Sequence, residues 1–386
     1  MQHSGSRRDE RHSEARASTP CRLAFACEAL SAATAACGDR LLTVHFAGAP
    51  GSAPAGTFPP DPAEVSRTAA GAPAPEPPFA RIQNRVLGLS SPVEVWRSEL
   101  AVRRGVTDGV TWAENGSVLF GSLASLLAGD LPREVEAHFS ALLAATEGQG
   151  YPHLLRVWNF LPGINADQNG TERYRLFNCG RAAAFDARFG VSRAEARFSA
   201  SSAVGSTGDR LSTFFAAARS PGRHLGNPRQ VHAFRYPTDY GQRPPSFSRA
   251  TIAPPELGRI LFLSGTASIA GHETRHAGEL QLQLQETLHN IETLLDSADP
   301  GGTSAVAGDD RASATEDARL PALEEFDFYR IYLRDASDLA SVRKALRLRV
   351  GPRPALSFVE ADICRADLLL EIEGVAGLHR REGPPA

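Results

Sequence analysis

Two glutamates near the carboxyl end of the chain, Glu371 and Glu373, stand inside an otherwise apolar run, LLLEIEGVA. A spacing of two places both side chains on the same face of a β-strand. A carboxylate among apolar neighbours must be solvated, paired or used, because burial without a partner is costly. One interpretation is an edge strand whose acids face water. The other is that one of the two glutamates is a general acid whose pKa is raised by its surroundings.

An irregular segment, residues 227–251, is a second candidate for chemistry because it is rich in arginine and tyrosine. Its polar side chains include Arg229, Gln230, Arg235, Tyr236, Tyr240, Arg243 and Arg249. Arginine forks bind carboxylates through paired hydrogen bonds, and tyrosine hydroxyls add directed ones. The segment is therefore either an exposed basic loop or a rigid wall that binds a carboxylated ring.

The sequence HETRH, from His272 to His276, matches the H-E-x-x-H signature of zinc metallopeptidases. That signature works on a helix, where the two imidazoles lie one turn apart. Here the motif follows a predicted strand and Gly271, and Ala277-Gly278 comes directly after it. We therefore expect a polar loop and no metal, with a zinc peptidase kept as an alternative.

Composition indicates a soluble globular protein of 386 residues, long enough for two or three domains. The formal net charge of -3 gives no reason to expect a nucleic-acid or membrane partner. The 5 cysteines are odd in number and lack metal-ligand spacing, which indicates reduced thiols in a cytoplasmic protein. The polar N-terminus has no apolar core of a signal peptide.

The elements that must position these residues repeat along the chain. In each half, the apolar pattern predicts the order strand, helix, strand, helix, strand, strand. The last two strands of the second half form a predicted pair, which puts Cys364 on the strand beside Glu371. We predict an α/β (α+β) chain with an internal duplication, in which each unit is a mixed sheet with helices packed on one face.

Composition along the chain sets the predicted domain limits. We expect a disordered tail at 1–19 and a first unit at 20–222, which includes a Pro/Gly-rich excursion at 48–78. The second unit is predicted at 227–386, with a mobile insertion at 296–320.

The second repeat resembles the reactive-intermediate deaminase (RidA/YjgF) family. The resemblance lies in SGTAS after a strand, QETLHNIETLL on a helix, YRIYLRDASDL, and the closing LEIEGVA. It implies a RidA/YjgF-like (chorismate-mutase-like) fold for each unit and makes Glu371 the acid-base residue. A non-catalytic RidA-like ligand-binding protein stays an alternative. Because RidA proteins are trimers, a duplicated chain is compatible with a monomer.

Longer motifs resemble the chorismatase family, whose chains are built from RidA-like units. These motifs are RVWNFLPGIN, GTERYRLFNCGRAAAF, NPRQVHAFRYPTDYGQRPPSFSRAT, SGTASIAGHET and VEADICRADLLLEIEG. Chorismatases release the enolpyruvyl side chain of chorismate as pyruvate, without a cofactor. In the family, a cysteine at the Cys364 position accompanies benzoate formation, whereas hydrolytic members carry alanine there. The resemblance therefore implies 3-hydroxybenzoate as the product. The alternatives are mixed 3- and 4-hydroxybenzoate, or the hydrolytic product, a dihydroxycyclohexadiene carboxylate.

The chemistry of this reaction assigns roles to the candidate residues. An enol ether is cleaved after protonation of its methylene carbon, so the enzyme needs a carboxylic acid that stays protonated near neutral pH. Glu371 suits that role because desolvation raises the pKa of a carboxyl group. We predict that Tyr240 and Arg249 bind the ring carboxylate and that Arg330 binds the enolpyruvyl carboxylate. Cys364 completes the predicted substrate-binding set.

Overall fold

The computed structural model describes residues 23–28, 39–46, 78–88, 93–297 and 319–378. The predicted tail at 1–19, and nearly all of the predicted excursion and insertion, lie outside these ranges. Among the described helices, none combines the length and the apolar character that a membrane span needs.

The first part of the chain forms two sheets. A four-stranded sheet has the order β1-β4-β2-β3 and consists of β1 (Leu23–Glu28), β2 (Arg40–Phe46), β3 (Phe79–Ile82) and β4 (Val93–Ser98). The following elements are β5 (Arg103–Thr107), β6 (Val110–Glu114), β7 (Val118–Leu126), α1 (Leu131–Gly148), β8 (His153–Pro162), the ribbon of β9 (Asp167–Gln168) and β10 (Thr171–Glu172), α2 (Arg173–Phe189), α3 (Val191–Ala194), β11 (Ala200–Ser206) and β12 (Arg210–Ala218). Six of these strands form a mixed sheet in the order β11-β8-β12-β7-β6-β5.

The second part of the chain forms one mixed sheet of six strands. Its elements are β13 (Arg223–Leu225), β14 (Ala250–Ile252), β15 (Leu261–Thr266), the ribbon of β16 (Ile269–Ala270) and β17 (Glu273–Thr274), α4 (Leu280–Ser297), β18 (Phe328–Leu333), α5 (Leu339–Val350), β19 (Ala355–Glu360) and β20 (Leu370–Ala376). The strand order is β13-β14-β15-β20-β18-β19. Because β13 begins at Arg223, this sheet starts four residues before the limit that the sequence predicts for the second unit.

The two six-stranded sheets share one topology, which confirms the predicted α+β duplication. Read from β5 to β11 and from β13 to β19, each sheet has its last strand in chain order as the fourth across. In each half, two neighbouring parallel strands are joined by a helical crossover: β8 and β11 through α2, and β18 and β19 through α5. The four-stranded sheet has no counterpart in the second half of the described chain.

The last two strands are not neighbours, which corrects the predicted terminal pair. β19 pairs in parallel with β18, and β20 pairs with the opposite edge of β18 and with β15. The crossover through α5 returns the chain parallel to β18, so only the other edge of β18 is open to the antiparallel β20. Cys364 consequently lies in the link between the strands. Since β20 is a central strand, the edge-strand interpretation of its glutamates is wrong.

The three sheets meet in one apolar layer. Helices α1 and α2 cover one face of the first six-stranded sheet, and α4 and α5 cover one face of the second. The opposite faces pack on each other and on the four-stranded sheet. Trp96 on β4 lies at this junction, with its ring 5.0 Å from Phe120, 6.1 Å from Trp158 and 6.2 Å from Phe262. Burial of such large aromatic surfaces stabilises the junction and fixes how the sheets face each other.

Candidate active site

A cavity of about 350 Å³ opens between the two six-stranded sheets. The first sheet contributes Ser201 and Ser202 from β11, and the second contributes Gly265 from β15 and Glu371 from β20. Residues from α2, from the segment 236–249 and from the link between β19 and β20 complete the wall. The structure therefore brings Tyr240, Arg249, Cys364 and Glu371 together, as the sequence predicts.

Glu371 presents its carboxyl group to this cavity from a buried strand. The residue is 4% exposed, and its Oε1 has no hydrogen-bond partner among the described residues. The carboxyl group lies against Gly265, where even a methyl side chain would collide with it. The register of β15 and β20 shifts between Leu263 and Thr266, at the same place. The missing side chain and the irregular pairing together make room for the acid between two paired strands.

The surroundings of Glu371 favour its protonated form. Burial, together with the nearby charge of Glu373, raises the pKa of Glu371 to about 8 against the lowering effect of Arg156 and Arg249. The carboxyl group is therefore largely protonated at neutral pH, as a general acid must be before it acts.

Glu373 is held in a different environment on the same face of β20. Its Oε2 accepts hydrogen bonds from Arg156 Nη2 at 2.6 Å and from the Ser202 hydroxyl. Its Oε1 accepts from Trp158 Nε1 at 2.9 Å and from Arg330 Nη1. Both oxygens of Glu373 are therefore occupied by protein donors, and each is paired with a guanidinium group. The two glutamates thus differ in their contacts, because Glu371 Oε1 has no partner among the described residues.

Arg330 lies in this buried network and not at the wall of the cavity. Its guanidinium binds both carboxylate oxygens of Glu94 and also donates to Glu373. Burial lowers the pKa of Arg330, but the combined attraction of Glu94, Tyr332 and Glu373 raises it well above its usual value. Because its nitrogens are occupied by protein carboxylates, we reassign Arg330 from substrate binding to the support of β20.

Arg249 faces the cavity with an unused donor. The residue is 4% exposed, and its Nη2 donates to the Tyr236 hydroxyl at 2.7 Å. Its guanidinium lies 5.0 Å from the Phe247 ring, and its Nε has no partner among the described residues. A buried, oriented guanidinium with an unsatisfied N–H is suited to bind an anionic group of a ligand.

Arg181 is a second such guanidinium, which the sequence interpretation missed. It lies on α2, is 2% exposed, and donates from Nη1 to Ser201 at 3.1 Å. Its Nε and Nη2 have no partner among the described residues. Burial lowers the pKa of Arg181 to about 10, so it stays cationic at neutral pH. Its spacing of four from both Phe177 and Phe185 places it on the buried face of α2, a signal present in the sequence.

Cys364 and Tyr240 stand at other parts of the wall. Burial and the charge of Glu371 raise the pKa of the Cys364 thiol to about 12, so the group is neutral. The half-buried Tyr240 has its hydroxyl 3.2 Å from His272 Nδ1, and the Arg365 guanidinium lies 4.3 Å from its ring. Cys364 is thus an uncharged wall group beside the acid, and Tyr240 lies between a histidine and an arginine.

The HETRH motif does not form the helix that a zinc peptidase needs. Its residues Glu273–Thr274 form β17, which pairs with β16 in a two-stranded ribbon. In the part of the chain that the structure describes, no group of three or more His, Cys, Asp or Glu side chains is arranged to hold a metal ion. His272 contacts Tyr240 instead.

The arrangement is suited to proton transfer to a bound anion. A protonated carboxylic acid, two guanidinium groups with unused donors and a neutral thiol line one partly enclosed cavity. The guanidinium groups can orient a ligand that carries two carboxylates, and the acid can protonate an electron-rich carbon or oxygen of that ligand.

Comparison with known proteins identifies relatives of the chain. The family model described as chorismatase FkbO/Hyg5-like, N-terminal, matches residues 94–217. A 3-hydroxybenzoate synthase of Streptomyces hygroscopicus is 36% identical over 300 residues, which are 76% of this chain and 84% of the relative. A chorismatase of the same organism is 35% identical over 285 residues, or 73% of this chain and 78% of the relative. The crystal structure of a chorismatase matches 93% of this chain and 99% of its own with a TM-score of 0.74 and 27% identity.

Proposed function

The chain belongs to the chorismatase family, and we propose that it converts chorismate to 3-hydroxybenzoate and pyruvate. One observation above all supports this proposal. Glu371 is a buried acid with a raised pKa and an unpartnered oxygen, in the same cavity as Arg181 and Arg249. Chorismate carries two carboxylates and an acid-labile enol ether, so its chemistry matches these groups.

The proposed reaction begins with proton transfer from Glu371 to the methylene carbon of the enolpyruvyl group. This step forms an oxocarbenium ion and leaves the Glu371 carboxylate. The ring hydroxyl then adds to the cation and gives its proton to the Glu371 carboxylate, which forms a cyclic ketal. The ring aromatises when the bond from its carbon to the former hydroxyl oxygen breaks and the adjacent carbon, which bears the ether oxygen, loses its proton. The resulting hemiketal collapses to pyruvate and 3-hydroxybenzoate. The two products together contain all the atoms of chorismate, so no net water is taken up. Acid catalysis of this kind requires no metal or organic cofactor.

We assign the two carboxylates of chorismate to the two guanidinium groups. Arg249 and Tyr240 are proposed to bind the ring carboxylate. Arg181 takes the role predicted for Arg330 from the sequence, and binds the enolpyruvyl carboxylate. The unused N–H groups of Arg181 can form directed hydrogen bonds that orient a substrate carboxylate, whereas Arg330 is already paired with protein carboxylates.

The test of the proposed function is to mix the protein with chorismate and separate the products by chromatography. Pyruvate and 3-hydroxybenzoate in equal amounts support the proposal. A mixture with 4-hydroxybenzoate, or a dihydroxycyclohexadiene carboxylate, would indicate the alternative chorismatase activities. If no pyruvate is released, the non-catalytic RidA-like ligand-binding protein becomes the favoured alternative. Peptidase activity that depends on stoichiometric bound zinc would favour the zinc metallopeptidase.

The pH profile should follow the protonation of Glu371. Because the acid must carry its proton, we expect kcat/KM to be constant below the pKa of about 8 and to fall as pH rises through it. Measurement of kcat/KM between pH 6 and 10 tests this expectation. A profile that rises with pH through this range would require Glu371 to act as a base.

Replacement of Cys364 by alanine should change which product forms more than how fast chorismate is consumed. The thiol lines the cavity with Glu371 and occupies space there that a water could otherwise take. Alanine leaves a gap of about one sulfur atom, which can admit a water where polar partners are near. Water would then capture the cation and give the non-aromatic acid. Ultraviolet detection of the separated products measures this shift.

Cys179 provides a matched control, since it is the other described free cysteine and does not line the cavity. Cys179→Ala should leave the product ratio unchanged. If Cys364→Ala also gives the wild-type ratio at a normal rate, Cys364 is only a packing residue.

The domain limits 20–222 and 227–386, the cytoplasmic location and the monomeric state remain predictions. Light scattering of the purified chain measures the oligomeric state.

A further inference from the structure

We propose that Glu94 is a positioning residue for the acid: from the four-stranded sheet it holds Arg330 against Glu373 and so fixes the charges that Glu371 meets. This inference rests on the proposed role of Glu371 in catalysis. Glu94 lies on β4, in the sheet that has no counterpart in the second half of the described chain, and is 0% exposed.

The contact between Glu94 and Arg330 is a two-pronged pair. Glu94 Oε1 accepts from Arg330 Nε at 3.1 Å, and Glu94 Oε2 accepts from Arg330 Nη2. Burial, and to a smaller extent the charge of Glu373, raises the pKa of Glu94 against the lowering effect of Arg330, so its charge depends on Arg330 and not on water. In return, Glu94 fixes the plane of the guanidinium, because a bidentate pair allows one orientation.

The third guanidinium nitrogen of Arg330, Nη1, connects the pair with Glu94 to Glu373, the neighbour of Glu371. Arg330 Nη1 donates to Glu373 Oε1, and the second oxygen of Glu373 accepts from Arg156. The chain of charges Glu94, Arg330, Glu373 and Arg156 therefore crosses all three sheets. Each member is at most 2% exposed, and the two carboxylates balance the two guanidinium groups.

Glu371 is next to this chain of charges. It lies two residues from Glu373 on the same face of β20. The charged and titratable groups that face it are Glu373 on β20, Tyr332 opposite it on β18, Arg156 on β8, Arg249 ahead of β14, Cys364 in the link after β19 and Tyr174 on α2. Buried charges are screened weakly, so a change of one charge in the network reaches Glu371.

The sign of the effect follows from the charge balance. Loss of the Glu94 charge leaves the network with one excess positive charge and frees Arg330 to neutralise Glu373 more completely. Both changes stabilise the ionised form of Glu371, which then loses its proton at lower pH. Loss of the Arg330 charge has the opposite sign, since Glu373 keeps less of its compensation.

The test compares Glu94→Gln and Arg330→Gln in the full-length chain. We expect Glu94→Gln to move the fall of kcat/KM to lower pH by about one unit, and Arg330→Gln to move it to higher pH. Glu94→Asp keeps the charge and should return the profile toward the wild-type position. A residue with only a structural role would lower kcat/KM at every pH in both variants and leave the position of the fall unchanged, and that result overturns the proposal.

A second measurement is independent of turnover. The carboxyl carbon of Glu371 can be titrated by NMR in ¹³C-glutamate-labelled protein, with its signal assigned by its loss in Glu371→Gln. If the wild-type protein releases no pyruvate from chorismate, the proposed function fails, and this titration still decides the role of Glu94. An unmoved Glu371 titration in folded Glu94→Gln, or in Arg330→Gln if circular dichroism shows that the first variant does not fold, overturns the inference.

Discussion

Replacement of Glu371 by glutamine is expected to abolish the turnover of chorismate without disturbing the fold. The amide keeps the shape of the carboxyl group but has no acidic proton to give to the methylene carbon. Because Glu371 Oε1 has no partner among the described residues, the substitution breaks no hydrogen bond at that atom. We expect kcat to fall about 10²-fold or more, with a smaller effect on substrate affinity. Pyruvate release measures the loss.

The matched control is Glu324→Gln, which makes the same chemical change at an exposed position outside the cavity. This variant should keep the wild-type rate. Near-normal kcat in a folded Glu371→Gln protein would remove Glu371 from the mechanism and would transfer the acid role to another group of the cavity.

Replacement of Arg249 by alanine should weaken the binding of chorismate strongly. The change removes a buried donor that we assign to the ring carboxylate, and truncation of such a partner typically costs roughly 2–5 kcal/mol. A loss at the lower end of this range already raises the dissociation constant about 30-fold. Calorimetric titration of chorismate into Glu371→Gln, with and without Arg249→Ala, measures binding without turnover.

Two further variants locate the effect. Arg235 belongs to the same arginine-rich segment, but it is exposed and pairs with Glu195 outside the cavity. Arg235→Ala should leave affinity unchanged, and Arg249→Lys should recover part of it, since lysine keeps the charge but not the fork. If Glu371→Gln binds chorismate equally tightly with and without Arg249→Ala, this arginine has only a structural role.

The order of the elements could be predicted from the sequence, but not the order of the strands. Helical spacing of Leu284, Leu288 and Ile291 gave α4, and these side chains are buried as that spacing requires. The insertion of β18 between β19 and β20 depends on pairing between distant segments, which local periodicity does not contain. The separate sheet of β1 to β4 was missed for the same reason.

A site residue could be predicted from the sequence where its side-chain type and local setting allow only a few roles. A carboxyl group on an apolar strand had few uses, and Glu371 indeed lies in the cavity. Arg330 was different, because its partners Glu94 and Glu373 are joined to it only in the folded chain. Arg181 carried a local signal in its spacing from Phe177 and Phe185, although a cation on a buried helix face is recognised more readily once a cavity is seen beside it.

The two halves share one topology but contribute different chemical groups to the cavity. In the second half, β20 carries the acid, whereas the strand that occupies the same place in the first half, β12, contains no carboxylate. The first half contributes Arg181, Ser201 and Ser202 to the cavity instead. The second half thus holds the proposed acid together with Arg249 and Tyr240, and the first half adds a second guanidinium group to the cavity. The first half can therefore be redesigned around Arg181 for other dicarboxylates while the strand that carries the acid keeps its sequence.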